Sequence, residues 1–250
     1  MPFVKGDGGK MKRVLIGCAV SLMCGVVRAD AVLTGTESKK PEEMVDCPVS
    51  ENMRGHENIE WSQSYGYHLT DEMKSLPRVL LVGDSICNAY KDEVCEGLEG
   101  KMTVTYWASS YCLTYPNYMR FLSIYLDEAE YAVIHFNNGL HSLNSDPVVW
   151  GRAFREAIRM IRAKQPKAKL VWTPSTPLKD SVRTAKVRTL NAIAAKVIAE
   201  FNDIAVDDLF VLMDPCDRDE EWTDPYHFKP PAVTRQAQQV VSACLRAAGL

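Results

Sequence analysis

The sequence predicts an α/β protein, a three-layer α/β/α sandwich on a parallel sheet of about five strands. Two observations carry this. From residue 78 onward, short apolar runs alternate with longer segments whose apolar positions recur every three or four residues, the pattern of βαβ units. The short runs are continuously apolar rather than alternating, so both faces of the sheet are buried and helices must cover both. With 250 residues and 46% hydrophobic content, the chain suits one well-buried domain and is short for two.

Taken in order, the chain opens on Lys5, Lys10, Lys12 and Arg13, followed by the apolar run VLIGCAVSLMCGVV at 14–27 and the small-x-small site Ala29-Asp30-Ala31. That is the layout of a secretory signal peptide over residues 1–31, and the run is short for a bilayer span. An uncleaved anchor and a lipoprotein modified at Cys18 are the alternatives, and Met11 offers a second possible start. The expectation is a protein exported to the periplasm or beyond the cell, with no stable membrane insertion after cleavage. Residues 32–75 form a polar lead-in whose aromatics, in ENIEWSQSYGYHL, are expected to pack on the domain that fills 76–250.

The expected strands are RVLLVG (78–83), MTVTYWA (102–108), YAVIHF (131–136), KLVWT (169–173) and, weakest, DIAVDD (203–208). Three helical stripes lie between and after them: Trp150, Phe154, Ile158 and Ile161; Val187, Leu190, Ala194, Val197 and Phe201; Val233, Ala237, Val240, Cys244 and Ala248. In open parallel sheets, ligands sit beyond the carboxyl ends of the strands. The residues just after each strand are therefore the candidates for chemistry.

Formal charge is −3 for the whole chain. Removing residues 1–31 takes five of the 29 basic and two of the 32 acidic side chains and leaves −6. No basic surface is implied, so nucleic acid is not an expected partner. Six cysteines remain, Cys47, Cys87, Cys95, Cys112, Cys216 and Cys244, some of which can pair in an oxidising compartment, with no connectivity assigned. No Cys/His spacing suits a structural zinc, and no metal or cofactor is expected.

After the first strand comes Gly83-Asp84-Ser85. A lone serine there is readily a helix cap. A glycine before it permits a tight strand-to-helix turn that presents the hydroxyl at the sheet edge. A hydroxyl is a weak nucleophile without a base, and the base needs an orienting partner. Asp224-Pro225-Tyr226-His227 can supply both from one turn; its other reading is a capping aspartate beside an incidental histidine. Attack on a carbonyl also needs donors for the developing oxyanion. The Ser85 backbone N–H, an amide from Asn137 or Asn138, and a backbone N–H from residues 109–112 are candidates, although either asparagine can equally cap a turn.

These residues carry a resemblance. VGDSI and DPYH, in that order and at opposite ends of residues 76–250, resemble the serine block and the Asp-x-x-His block of the SGNH/GDSL hydrolase superfamily. The resemblance implies a flavodoxin-like sheet, Ser85 as nucleophile, His227 as base and Asp224 as its orienter. Two blocks depart from the family pattern. HFNNG stands for Gly-x-Asn-Asp, leaving the oxyanion amide between Asn137 and Asn138, and WASSYCLT puts Cys112 where the family has glycine. Cys112 can still offer its backbone N–H. Asp84, Ser110, Tyr111 and His141 are expected around the substrate, with Tyr111, Tyr115, Trp107 and Trp222 as candidates to stack on sugar rings. LPRVLLVGDSI and FNNGLH together resemble an exported subgroup associated with polysaccharide breakdown, which implies a secreted esterase that removes acetyl or similar small acyl groups from carbohydrate.

An acyltransferase with the same triad differs only in its acceptor, and a non-catalytic glycan-binding module would keep the fold without turnover. A nucleotide-binding domain is disfavoured, because neither GxxxxGK[ST] nor GxGxxG occurs.

Overall fold

The computed structural model describes residues 60–66 and 70–250, and of Tyr65 and Gly66 the backbone only. The expectations placed on residues 1–31, on most of the lead-in and on Cys47 lie outside the described residues. The elements run β1 (Ser62–Gly66), α1 (Asp71–Lys74), β2 (Arg78–Gly83), α2 (Ser85–Leu98), β3 (Thr103–Ser109), α3 (Tyr118–Asp127), β4 (Val133–Phe136), a 3₁₀ turn (Leu140–Ser142), α4 (Pro147–Lys164), β5 (Lys169–Trp172), α5 (Ser181–Ile198), β6 (Ala205–Val206), α6 (Leu209–Met213), α7 (Arg218–Glu221) and α8 (Pro230–Ala248).

The sheet order is β1-β3-β2-β4-β5-β6. From β3 to β6 every pairing is parallel, with Leu81 opposite Tyr106 on one side and His135 on the other. Those five strands, numbered among themselves, have the flavodoxin-like order 2-1-3-4-5. The switch point, where successive connections leave in opposite directions, falls at β2, the strand that ends on Gly83.

One strand is added to the five expected. β1 pairs antiparallel with β3, Ser62 opposite Ser109 and Gly66 opposite Thr105, and comes from the polar lead-in. It is fastened by the Trp107 indole N–H donating to Ser62 Oγ at 2.9 Å, and by Ser110 Oγ accepting from Trp61 N at 2.8 Å.

The apolar runs divide between two cores. Val79 and Leu81 of β2 face α2 and α8, packing with Tyr90, Val94, Leu98, Val240 and Cys244. Leu80 and Val82 face α3, α4 and α5, packing with Leu122, Trp150, Phe154, Ile158 and Leu190. Period-two alternation is therefore present in β2, hidden in sequence because both faces want hydrocarbon. The three helical stripes are buried as expected, except that Phe201 and Ala248, at helix ends, are only half-buried.

Four of the longer helices have local start signals. Asp84, Asp146 and Asp180 cap α2, α4 and α5 through side-chain oxygens that accept first-turn N–H groups. Pro230 opens α8, where a missing N–H costs nothing.

Candidate active site

β2 delivers Gly83, Asp84 and Ser85 to the carboxyl edge of the sheet. The role of Gly83 is space. Its φ is not positive, since among the described residues only Gly100 and Gly249 are, but a Cβ there would lie 2.5 Å from Cys87 Cβ in the first turn of α2. Helix and strand end thus meet closely, and Ser85, the first helical residue, projects at the junction.

The second part arrives from residues 222–228. Trp222 and Phe228 form an isolated bridge, their rings 4.5 Å apart and both buried, and Thr223 N donates to His227 O at 2.9 Å. This closes a small loop whose two hydrophobic ends are anchored in the core. At its tip, Asp224 Oδ1 accepts from the backbone N–H groups of Tyr226 and His227 at 2.7 and 2.8 Å, and Oδ2 lies 2.7 Å from His227 Nδ1. Partial burial alone would raise this carboxyl's pKa; the donations from His227 and Tyr226, with the imidazole, outweigh it and hold the group below the ordinary carboxylate value. An ionised carboxylate only accepts, so Nδ1 carries the proton and Nε2 is left as an acceptor. Nε2 stands 2.7 Å from Ser85 Oγ, 142 positions away in sequence. The structure therefore brings Ser85, His227 and Asp224 into one continuous hydrogen-bonded line.

That line opens on a hollow of about 320 Å³ lined by Trp61, Ser85, Leu140, His141, Leu143, Asn144, Arg183, Tyr226 and His227. His141, expected near substrate, lines it and meets the Trp61 ring edge-on at 6.3 Å. Leu140, Leu143, Asn144, Arg183 and Tyr226 were not singled out in the sequence, and Trp61 only as one of the lead-in aromatics expected to pack on the domain; Tyr226, inside the Asp-x-x-His stretch, also carried a local signal.

Other expected contacts lie elsewhere. Asp84 is 3% exposed, and its Oδ1 accepts from Ile86 N at 2.9 Å; the orphan N–H of the helix start claims the carboxylate, and substrate does not reach it. Ser110 is fully buried and donates to Glu60 Oε2 at 2.6 Å, tying β1 to the sheet instead of facing the hollow. Tyr111 is stacked with Tyr115 at 4.8 Å and with Phe121 at 5.5 Å, and does not line the hollow. Trp107 and Trp222 are core side chains, 0% and 1% exposed, and offer no face to a sugar.

The oxyanion candidates are separated in the same way. Asn137 donates to Thr173 O at 2.6 Å and Ser175 Oγ at 3.3 Å, while Asn138 donates to Tyr111 O at 3.0 Å and accepts from Ser142 Oγ at 3.0 Å. Neither lines the hollow, and neither does Cys112. The Cys112 side chain is buried against Thr114 Oγ1 at 3.2 Å, burial raising its thiol pKa. The five described cysteines, Cys87, Cys95, Cys112, Cys216 and Cys244, form no disulfide. Among the described residues no group of three or more His, Cys, Asp or Glu could hold a metal ion, and no helix is long and apolar enough to cross a membrane.

No protein-family model matches the sequence, and no curated protein matches it. Solved structures do. A carbohydrate esterase family 3 protein from Talaromyces cellulolyticus superposes with a TM-score of 0.58 at 13% identity, over 70% of this chain and 99% of that one. A member of the lipolytic G-D-S-L family from Veillonella parvula gives 0.58 at 15% identity, over 68% and 98%. A tryptophan-to-isoleucine variant of an acetyl-xylooligosaccharide esterase from Geobacillus gives 0.52 at 12% identity, over 72% and 97%. With its switch point at β2 and a serine at that strand's end, this chain has the fold of the SGNH/GDSL hydrolases.

Proposed function

We propose that the protein is an exported serine esterase that hydrolyses small acyl esters, acetyl first among them, on carbohydrate. The observation that carries this is the unbroken line from Ser85 Oγ through the imidazole of His227 to Asp224, with 2.7 Å at each step, opening on a hollow of about 320 Å³. A capping serine or an incidental histidine has no need of the other two groups.

In this reading His227 Nε2 takes the Ser85 proton as Oγ attacks the ester carbonyl. The tetrahedral oxygen gathers charge near the start of α2, where the Ser85 backbone N–H and the positive end of the helix dipole favour it. The carbonyl–alcohol bond then breaks, the imidazolium returns its proton to the leaving oxygen, and an acyl-Ser85 remains. Water, deprotonated by the same imidazole, attacks the acyl carbon; the acyl–Oγ bond then breaks, the imidazolium returns the proton to Ser85 Oγ, and the acid leaves. Asp224 holds the ring in the productive tautomer and stabilises the imidazolium. The names of the similar structures, carbohydrate esterase and acetyl-xylooligosaccharide esterase, support the choice of ester.

The test is a panel of acetylated polysaccharides and aryl acetates assayed with wild type and Ser85→Ala. Loss of roughly 10³-fold or more in kcat is expected for the variant. Retention of most of the ester cleavage would remove Ser85 from the mechanism. Release of acetate in water without a sugar acceptor distinguishes hydrolysis from acyl transfer.

A further inference from the structure

We infer that Arg183 sets the specificity of the hollow, and that the ester it receives carries a carboxylate on its alcohol half: an acylated acidic sugar. This deepens the esterase reading and rests on it.

Arg183 lines the same hollow as Ser85 and His227, and none of the lining residues is acidic. A guanidinium is permanently charged, and among the described residues this one pairs with no carboxylate. Its neighbours do: Lys179 lies 3.2 Å from Asp219, and Arg188 lies 2.5 Å from Asp214. Asp180, three residues away, is occupied by the N–H groups of Val182 and Arg183 at 2.7 and 3.1 Å. Asp224 is occupied by His227.

Arg183 instead donates to the hydroxyl of Tyr226, and its Cζ lies over the Tyr226 ring, 4.9 Å from the centroid. The stack restrains the guanidinium without neutralising it, and the fork has further N–H donors for an anion.

The position is also locally unfavourable. Arg183 sits in the first turn of an 18-residue helix whose first turn holds no acidic residue, so its charge faces the positive end of the dipole. A cation belongs at the other end of a helix. The Asp180 cap, whose Oδ1 takes the N–H groups of Val182 and Arg183, offsets part of this cost, and an anionic group of a ligand at the mouth of the hollow would offset more.

Arg183 is exposed, at the rim, so it meets the part of the ligand that extends outward. With a small acyl group at Ser85, that part is the sugar. Trp61, Leu140 and Leu143 supply apolar wall for the same half. A carboxylate on the sugar matches the planar two-pronged donor and the single positive charge.

The test compares kcat/KM on an acetylated oligogalacturonide and on an acetylated xylo-oligosaccharide of equal length. Wild type is expected to favour the anionic substrate by about tenfold, the scale of one partly exposed charge-assisted contact, and to lose that preference as salt is raised. Arg183→Gln should bring the ratio close to one, chiefly through KM, whereas Tyr226→Phe keeps the charge and should keep the preference. A wild-type ratio near one, or an unchanged ratio in Arg183→Gln, overturns the inference. Equal losses on both substrates in Arg183→Gln and Tyr226→Phe would also overturn it, reducing Arg183 to a prop for the histidine loop. Calorimetric binding of the two oligosaccharides to Ser85→Ala, with and without Arg183→Gln, reads the same preference without turnover. Absence of ester cleavage by wild type would therefore sink the esterase reading, while the binding arm still decides for or against Arg183.

Discussion

At Gly83 a methyl group would stand 2.5 Å from Cys87 Cβ and 3.3 Å from Cys87 Sγ. Carbon atoms pack at about 3.5 Å or more, so Gly83→Ala requires the end of β2 and the first turn of α2 to separate by about 1 Å. Rotating the cysteine does not help, because its Cβ is fixed to the helix backbone. α2 must move, and Ser85, two residues before Cys87, moves with it. A displacement of about 1 Å stretches the 2.7 Å hydrogen bond to His227 out of range, and misplacement on that scale costs roughly 100-fold in rate. The accompanying loss of stability is about 1 to 3 kcal/mol, within reach of a folded protein. Purified Gly83→Ala should therefore remain cooperative in thermal unfolding while kcat on 4-nitrophenyl acetate falls by about two orders of magnitude. A second substitution separates this steric account from any general damage. Gly83→Ala with Cys87→Gly removes the colliding carbon and should recover most of the rate, whereas Gly83→Ala with Cys87→Ala retains that carbon and should not. Full activity in Gly83→Ala, or equal rescue by both partners, would refute the reasoning.

Asp224→Asn should lose roughly 10³ to 10⁴ in kcat, because an amide can support the wrong imidazole tautomer. Its pH dependence has a fixed sign. The carboxyl is held below its ordinary value in the folded state, so its contribution to stability is present above about pH 4 and is lost as pH falls through the depressed folded value. The Tm difference between wild type and Asp224→Asn should shrink as pH falls below about 4, where the wild-type carboxylate takes up its proton; a difference that persisted undiminished to about pH 2 would contradict the assignment. Away from the site, Asp207 is buried with its oxygens 2.8 Å from His135 Nε2 and 2.8 Å from the donating Gln239 Nε2. Asp207→Ala takes one partner from the buried His135, which keeps Thr173 Oγ1 at 2.7 Å, and one from the half-buried Gln239, and should cost roughly 1 to 3 kcal/mol in urea unfolding. A cost under about 1 kcal/mol would show that the network contributes little.

The central strands and long helices were legible because burial writes itself into composition. β2, β3 and β4 are buried along almost their whole length, and Trp150, Phe154, Ile158 and Ile161 lie on one buried face of α4. β1 was not legible for the converse reason. Ser62, Gln63 and Ser64 are exposed on an edge, and the strand is held by backbone pairing to β3 and by the Ser62–Trp107 and Trp61–Ser110 bonds, none of which leaves an apolar signature. At the opposite edge β6 shrinks to Ala205–Val206, both exposed, which is why DIAVDD was the weakest of the expected strands.

Within the site the same distinction recurs at single residues. Ser85, Asp224 and His227 were readable because each lies in a short segment whose chemistry makes sense before folding: a glycine-led strand end, and a carboxylate three residues from an imidazole. Asp84, Ser110, Asn137 and Asn138 have the same residue types at the same strand ends, yet the structure uses them to satisfy backbone and buried polar groups at that edge: the N–H of Ile86, the N–H of Trp61, and the carbonyls of Thr173 and Tyr111. A parallel sheet whose strands stop in the interior leaves such groups without ladder partners, and their desolvation is as strong a demand on a nearby polar side chain as substrate binding. Sequence position does not say which demand prevails, because that depends on whether the side chain finds an orphan group or open solvent within reach. Asn144 and Arg183 show the opposite case: a turn and a helix start, unremarkable where they stand in the chain, become walls of the hollow only when the 3₁₀ turn and α5 meet around Ser85.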